Sequence, residues 1–476
     1  MKNIFLMVIF IWPLIIFASD TEVTWIGFGG VTSMTGQNAG DKAGFSVAIS
    51  IDGSILAVGE VGWDGVGGDS GRVRTYRLQN GVWTEFGGAT SMTGNGNFND
   101  QAGRFIAMSY DGAIIAVGEP GWNGVGFSSG RVRTYSLQNG IWTEFGGATS
   151  MTGPVAIDQA GFSVAINSDG SIVAVGEIGW DGAGMDSGRV RTYSLQGGVW
   201  TEFGGETSMA GENAGDQVGR SVDMNSDGTI IAVGEPFWDG VGISSGRVRT
   251  YRLQGGVWTE FGGATSMTGE NAGDQAGFSI TMNPDGTIIA VGENGWNGSR
   301  GRVRTYVLQG GVWTQTGGAT SMTGQFAGDQ AGNSVAINSD GSIIAVGEIG
   351  WSGNTGRVRS YSYSLESGIW VEFGGATSMT GENASDQAGR SVAMNYGGSL
   401  VVVGEDGWNG SRGRVRTYFY PSYNDNETEA RIRNSELAHV CYSDISQGTY
   451  TDHQTTPGGV GQGAWFTPYR ITVQGR

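Results

Sequence analysis

The stretch AGFSVAISIDGSILAVGEVGW (residues 43–63), followed by GRVRTYRLQNGVWTEFGG (residues 71–88), decides the fold. Close variants of it recur seven times between about Val23 and Tyr420, and the tetrapeptide GRVR returns every 55 to 59 residues. A period this long, with alternating apolar residues and glycines at fixed points, is typical of one small β-sheet per repeat rather than one coil of a solenoid. The sequence therefore predicts an all-β repeat protein.

Each repeat divides into four short β-like segments, which we label A to D. In the first repeat these are residues 45–49, 55–59, 72–76 and 82–86, and tight turns stand at Asp52-Gly53 and Asn80-Gly81. Apolar runs bounded by such turns are typical of strands joined in hairpins. Four antiparallel strands in each of seven units predict a seven-bladed β-propeller with segment A innermost.

The two ends of the repeat array carry complementary pieces of one repeat. The array begins with a lone D segment at residues 23–28 and ends after segments A, B and C of the seventh repeat. An open array would leave unpaired strand edges, which proteins avoid because free edges promote aggregation. We therefore predict a closed ring at residues 20–420, in which the N-terminal strand completes the last blade.

Residues 1–19 have the pattern of a secretory signal peptide. Lys2 precedes an apolar run over residues 4–17, and Ala18-Ser19 supplies small residues at its end. The run is shorter than the ~20 residues of a typical membrane span. We predict a cleaved signal and a secreted or cell-surface protein. The alternative is an uncleaved anchor, which would hold the chain at a membrane.

Residues 421–476 fall outside the repeats and are predicted to form a polar C-terminal extension. They contain Cys441, the single cysteine of the chain, so no disulfide can form within the chain. The N-x-S/T pattern that accepts N-linked glycans occurs four times. The candidate glycosylation sites are Asn297, Asn383, Asn409 and Asn426.

The charge and the residue types of the chain argue against two classes of function. The net charge is −18 and no tract of Lys and Arg is present, so nucleic-acid binding is not expected. Both histidines, His439 and His453, lie in the C-terminal extension. We therefore predict no enzymatic activity and no catalytic residues. The remaining enzymatic alternative is a glycoside hydrolase that uses a pair of carboxylates.

Three charged positions recur in every repeat: a Glu ends segment B, two Arg open segment C, and an Asp precedes segment A. Chemistry at a single site does not need seven copies, so we interpret them as a structural Glu–Arg–Asp ladder. The alternative is a charged ring that binds ions or a charged partner. The Glu positions are Glu60, Glu119, Glu177, Glu235, Glu293, Glu348 and Glu405.

Differences between the repeats are the better guide to function. The loops between segments B and C are longer in the first four repeats, and their tips carry Val66, Phe127, Met185 and Ile243. In the other three they shorten to residues 297–300, 352–355 and 409–412. With segment A innermost, the B–C and D–A loops share one face of the ring. The apolar tips are candidate partner-binding loops; the alternative is neutral loop variation.

The residue after the glycine that opens segment A alternates between aromatic and basic. Neighbouring Phe and Arg are predicted to stack as structural cation–π pairs around the ring. The alternative is an anion site near the channel mouth, formed by Arg104, Arg220 and Arg390. The seven positions are Phe45, Arg104, Phe162, Arg220, Phe278, Asn333 and Arg390.

The repeat resembles the FG-GAP repeat of integrin α-chain heads. Gly44-Phe45 stands at the FG position and Gly118-Glu119-Pro120 at the GAP position, and the spacing agrees over all seven repeats. The resemblance implies an extracellular seven-bladed propeller used for adhesion or ligand binding. It also implies calcium, but the family's D-x-D-x-D-G loop is absent. The turn at residues 167–170 carries one carboxylate, too few for an ion that takes ~6–8 oxygens.

These observations together predict a secreted or cell-surface, non-catalytic binding or adhesion propeller without a cofactor. It would recognise an extracellular protein or glycan through its loop face. The alternatives are a purely structural secreted repeat protein and, less favoured, the carboxylate-based hydrolase.

Overall fold

The computed structural model describes residues 23–421, except residues 31–33, 66, 89, 97, 148, 206–208, 264–266 and 319. Within them the chain forms seven antiparallel sheets arranged as a ring of blades. The signal segment, the C-terminal extension, Val66 and Asn426 lie outside the described residues, and the expectations attached to them stay predictions. No helix in the described part of the chain has the length and apolar character to cross a membrane.

Each blade contains strands A to D in order, and strand A is innermost. The A strands are Ala43–Ile49, Phe105–Met108, Ala160–Ile166, Ser221–Met224, Ser279–Met282, Ala331–Ile337 and Ser391–Met394. The B strands are Ile55–Glu60, Ile114–Glu119, Ile172–Glu177, Ile230–Glu235, Ile288–Glu293, Ile343–Glu348 and Leu400–Glu405. The C strands are Arg72–Gln79, Arg131–Gln138, Arg189–Gln196, Arg247–Gln254, Arg302–Gln309, Arg357–Ser364 and Arg414–Phe419. The D strands are Val82–Phe86, Ile141–Phe145, Val199–Phe203, Val257–Phe261, Val312–Thr316, Ile369–Phe373 and, in the seventh blade, Ile26–Phe28.

A two-residue fifth strand, here called strand E, was not predicted. It follows strand D and pairs with the start of strand C, so that in blade 1 Met92 lies opposite Val73. Its methionine is almost completely buried. The E strands are Met92–Thr93, Met151–Thr152, Met209–Ala210, Met267–Thr268, Met322–Thr323 and Met379–Thr380.

The N-terminal strand closes the ring, as predicted. Ile26 lies opposite Phe419 and Phe28 opposite Thr417, so the seventh sheet has the order D-C-B-A with its outer strand taken from the other end of the chain. The indole Nε1 of Trp25 donates a hydrogen bond to Ser360 Oγ of blade 6 at 2.7 Å. The last sheet therefore has a paired outer edge and a packed neighbour.

The hydrophobic core lies between neighbouring blades, and each D-strand tryptophan joins two of them. Trp142 of blade 2 is buried, and its Nε1 donates to Thr75 Oγ1 of blade 1 at 2.7 Å. The same bond runs from Trp83 of blade 1 to Thr417 of blade 7, across the closure, at 3.0 Å. Burying a large apolar side chain stabilises a fold by ~1.5–3 kcal/mol, so seven such tryptophans hold the ring without disulfides.

The short B–C loops of blades 5 to 7 form single helical turns, which were not predicted from the sequence. Asn297 and Gly298 in the first of them have φ of 50° and 71°, so the turn is left-handed there. That conformation suits Asn and Gly, which tolerate positive φ better than other residues. The turns are α1 (Trp296–Ser299), α2 (Trp351–Asn354) and α3 (Trp408–Ser411).

Candidate functional site

The recurring Glu is a buried structural residue in each blade. In blade 1, Glu60 accepts hydrogen bonds from Arg72 Nε at 2.6 Å and Arg74 Nε at 2.7 Å. Its side chain is completely buried. Burial raises the pKa of the Glu60 carboxyl, and the charges of Arg74 and Arg72 act in the opposite direction. A carboxylate enclosed by two guanidiniums cannot reach a ligand, which favours the structural interpretation.

The second arginine of each pair also joins neighbouring blades. Arg191 of blade 3 donates from Nη2 to the carbonyl oxygen of Thr152, which lies in strand E of blade 2, at 2.7 Å. Arg74 makes the equivalent bond to Thr35, which bridges to Arg414 of blade 7. The Glu–Arg clusters therefore connect blades around the whole ring.

The Asp that precedes strand A is not a rung of this ladder, contrary to the sequence interpretation. Asp41 Oδ2 accepts from the backbone N–H groups of Gln37 and Asn38 at 2.7 and 2.8 Å, and so fixes its own D–A loop. Asp274 holds its loop in the same way. Its Oδ2 also lies 4.0 Å from Arg302 Nη2, a contact too long for a hydrogen bond.

The Phe and Arg residues at the top of the channel stack as predicted. The Arg104 guanidinium lies 5.2 Å from the ring centre of Phe45 and 5.3 Å from that of Phe162. Arg220 lies over Phe162 and Phe278 at 5.3 and 4.7 Å. On the other side of the closure, Arg390 lies 4.5 Å from Phe45. Six of the seven positions thus form one continuous series of contacts around the channel mouth.

A cavity of about 280 Å³ occupies the lower part of the channel. Asp223 lines it and accepts hydrogen bonds from the N–H groups of Met224 at 2.8 Å and Met282 of the next blade at 2.7 Å. Burial raises the pKa of Asp223 to about 6, since those bonds only partly offset the loss of solvent. Tyr110 also lines the cavity, and burial with the charge of Asp223 raises its pKa to about 12.

The buried Asp223 is expected to make the stability of the protein depend on pH. Its folded-state pKa lies above the ordinary value, so between about pH 4 and 6 the folded state holds a proton that the unfolded state has lost. The stability contributed by this group therefore falls as pH rises through that window. We expect Asp223→Ala to remove an unfavourable term on the order of 3 kcal/mol at pH 7 that becomes negligible below about pH 4, before counting the lost hydrogen bonds. Urea unfolding of both proteins at pH 4, 5, 6 and 7 measures the difference. A difference that does not change with pH would contradict it.

Most of the exposed apolar residues of the top face lie on one side, and Phe326 is the exception among the described residues. Phe127, Met185 and Ile243 stand at the tips of B–C loops and are 70%, 73% and 77% exposed. Each tip carbonyl accepts a hydrogen bond from the following D–A loop, as in the 2.8 Å bond from Ile157 N to Phe127 O. The two kinds of loop therefore form one continuous surface, which we call the apolar arc. It comprises Phe98, Val125, Phe127, Val155, Ile157, Met185, Val241 and Ile243.

The opposite side of the top face is mostly polar, apart from the exposed Phe326, and carries three candidate glycosylation sites. Asn297 and Asn409 lie in the helical turns α1 and α3, and Asn383 lies in the D–A loop before blade 7. All three side chains are exposed. The structure therefore separates the apolar arc, in blades 1 to 4, from the sequons, in blades 5 to 7.

Two features of the structure were not predicted, although the sequence contains a signal for each. Asp223 occupies a strand A position where Ala48, Ala107 and Ala165 stand in the first three repeats, so an alignment of the repeats reveals it. The apolar residues of the D–A loops were not predicted because these loops vary little in length: the loop of Ile157 has the common length, and that of Phe98 is one residue longer. Phe326 is also exposed in such a loop, outside the arc.

Among the described residues, no group of three or more His, Cys, Asp or Glu side chains is placed to hold a metal ion. The Asp of the A–B turn serves the turn instead. Asp52 Oδ1 accepts from the N–H of Ser54 at 2.9 Å and from the hydroxyl of Ser50 at 2.6 Å. Such bonds fix the tight turn at the base of the innermost hairpin.

Comparison with known proteins gives the fold but no family. No family model and no curated protein matches the chain. Among solved structures, Kuenenia stuttgartiensis hydrazine synthase is similar, with a TM-score of 0.50 and 14% identity over 80% of this chain and 96% of that chain. At that identity the likeness concerns the fold alone. The protein is a seven-bladed β-propeller, and its FG-GAP character stays a resemblance of sequence.

Proposed function

We propose that this chain is a secreted or cell-surface, non-catalytic binding propeller that holds a protein partner on its apolar arc. The observation that carries the proposal is the one-sided exposure of Phe127, Met185 and Ile243. Soluble monomers rarely expose contiguous large apolar side chains, and patches of this kind mark interaction surfaces.

The chemistry of the arc favours a protein over a glycan. Its residues are Phe, Met, Ile and Val, and aromatic residues and Met are enriched at the centres of protein interfaces. Glycans carry hydroxyls that need polar partners, which these side chains do not supply. A partner with an apolar, weakly charged surface is the best match.

Three further features support an extracellular setting. The sequons on the polar side would keep glycans away from the arc, because Asn297, Asn383 and Asn409 all lie in or beside blades 5 to 7. The N-terminal segment has the pattern of a secretory signal. The resemblance to FG-GAP repeats points to the same compartment.

The proposal is tested with two triple variants of the full-length secreted chain. Phe127→Ser, Met185→Ser and Ile243→Ser remove the arc, whereas Val82→Ser, Val199→Ser and Val257→Ser remove equally apolar residues, about half exposed, from the outer D strands. We expect the wild type and the D-strand control to bind equally well to a protein on an array of cell-surface and matrix proteins. The arc variant should bind at least about tenfold more weakly, since central apolar contacts dominate interfaces.

Three outcomes would contradict a protein-binding arc. If both triple variants bind equally, the arc is not the contact surface. If no protein array binds and glycan arrays do, the partner class is wrong. Binding to neither class would favour the purely structural alternative.

A further inference from the structure

We propose that the top of the central channel is a binding site for a tetrahedral oxyanion, sulfate or phosphate, held by Arg104, Arg220 and Arg390. This inference does not rest on the proposed protein-binding arc, which lies further out on the same face. It rests on the position of the three guanidiniums, on the single carboxylate found near them among the described residues, and on the N–H donors that stacking leaves free.

The three arginines surround the axis because they come from three different blades at the innermost strand. Arg104 belongs to blade 2, Arg220 to blade 4 and Arg390 to blade 7. Their positive charges interact across the channel. The charges of Arg390 and Arg220 add to burial in lowering the pKa of Arg104 to about 10. Arg220, three blades away from Arg390, is lowered by it as well.

Few negative groups compensate this cluster. Among the described residues, a single carboxylate lies within 4.0 Å of any of the three guanidiniums, namely Asp406 at 3.8 Å from Arg390. The charge of Asp406 is itself offset by Lys42 as well as by Arg390, and Lys42 stands where the other repeats have Gln. The mouth of the channel is therefore positively charged, although the chain as a whole has a net charge of −18.

Stacking leaves the right donors available. A guanidinium stacked on an aromatic ring uses its flat faces and keeps its N–H groups at the edge, in the geometry that binds oxyanions. Arg104 Nη1 donates to Gln101 Oε1 at 2.8 Å, but its buried Nε has no hydrogen-bond partner. A buried donor without an acceptor is costly, and an anion oxygen would satisfy it.

The number of arginines favours a tetrahedral oxyanion over a carboxylate. Three guanidiniums that approach from three directions match three oxygens and a double negative charge, whereas a carboxylate offers two oxygens and one charge. The source of the group is either the free ion or an ester on a larger molecule such as a sugar.

Titration calorimetry on the full-length protein tests the site, with sodium sulfate, sodium phosphate and a sulfated monosaccharide at constant ionic strength. We expect saturable binding to the wild type. Arg104→Gln and Arg220→Gln should each weaken it about tenfold, the loss of one charged hydrogen-bond donor group. The matched control is Arg252→Gln, because Arg252 stacks on Phe261 at 4.4 Å but lies in an outer strand.

The free ion and the ester separate the two sources: tighter binding of the sulfated sugar assigns the site to an ester, and equal binding assigns it to the free ion. Arg104→Lys keeps the charge without the planar fork and should bind with intermediate strength. Unfolding temperatures in chloride buffer verify that the variants are folded. Absence of saturable binding to the wild type, or an equal loss in Arg252→Gln, overturns the proposal.

Discussion

Replacing Glu235 by alanine is expected to destabilise the protein by about 3–5 kcal/mol, because the change removes the buried counter-charge shared by two buried arginines. Only the more exposed carboxylates of Glu212 and Glu260 then remain beside them. Glu235 is completely buried, and Arg247 Nε donates to its carboxylate at 2.7 Å. Arg249 donates to the other carboxylate oxygen. Neither guanidinium can turn towards water, since both are almost fully buried at the top of strand C.

Glu260→Ala is the matched control for that prediction. Glu260 lies 3.6 Å from the same Arg249, but its side chain is 31% exposed. Exposed ion pairs contribute ~0–1 kcal/mol, so the control should lose little. Urea unfolding followed by tryptophan fluorescence measures both variants. Similar losses in the two would show that the buried cluster is not the stronger support of the blade.

Deleting residues 20–30 is expected to prevent formation of a stable monomer. The deletion removes the strand Ile26–Phe28 and leaves strand C of blade 7 with an unpaired edge. It also removes the buried Trp25 and its bond to blade 6. A bare edge beside an exposed core surface promotes association between chains. Size-exclusion chromatography should show aggregates, and the unfolding transition should broaden or vanish.

A circular permutant provides the control for the deletion. Joining Pro421 through Asn-Gly to Thr24, and opening the chain in the D–A loop before blade 1, gives blade 7 the same covalent C–D hairpin as the other six blades. Asn80-Gly81 makes that turn in blade 1. The permutant should be monomeric and as stable as the wild type. If the deletion variant behaves like the permutant, the strand is dispensable and closure does not stabilise the ring.

Repetition made most of the fold predictable from the sequence. The continuous apolar run of strand B is typical of a strand buried on both faces, and residues such as Leu56 and Val58 are completely buried. The lone D segment predicted closure because an incomplete blade requires a partner at the other end. Strand E was missed because a two-residue strand has no periodicity, although the segment Ser91-Met92-Thr93 recurs with little change.

Contacts between blades were harder to predict, because they join residues about one repeat apart with no local signal. Nothing in the sequence near Trp142 indicates that Thr75 accepts its indole hydrogen bond. The Asp residues before strand A suggested rungs of the ladder, but Asp41 binds backbone N–H groups nearby instead. The channel residues Asp223 and Tyr110 become neighbours only once the ring has closed.

The central claim is that the chain forms one closed ring, since closure alone places the loops of all blades on a common face. The most direct measurement is disulfide cross-linking of Ile26→Cys with Phe419→Cys in a chain that also carries Cys441→Ser, because these two residues are opposite partners in the seventh blade. Oxidation of the dilute protein should give a monomer in which mass spectrometry finds the two segments joined. Free thiols, or disulfides that link different molecules, would contradict the account.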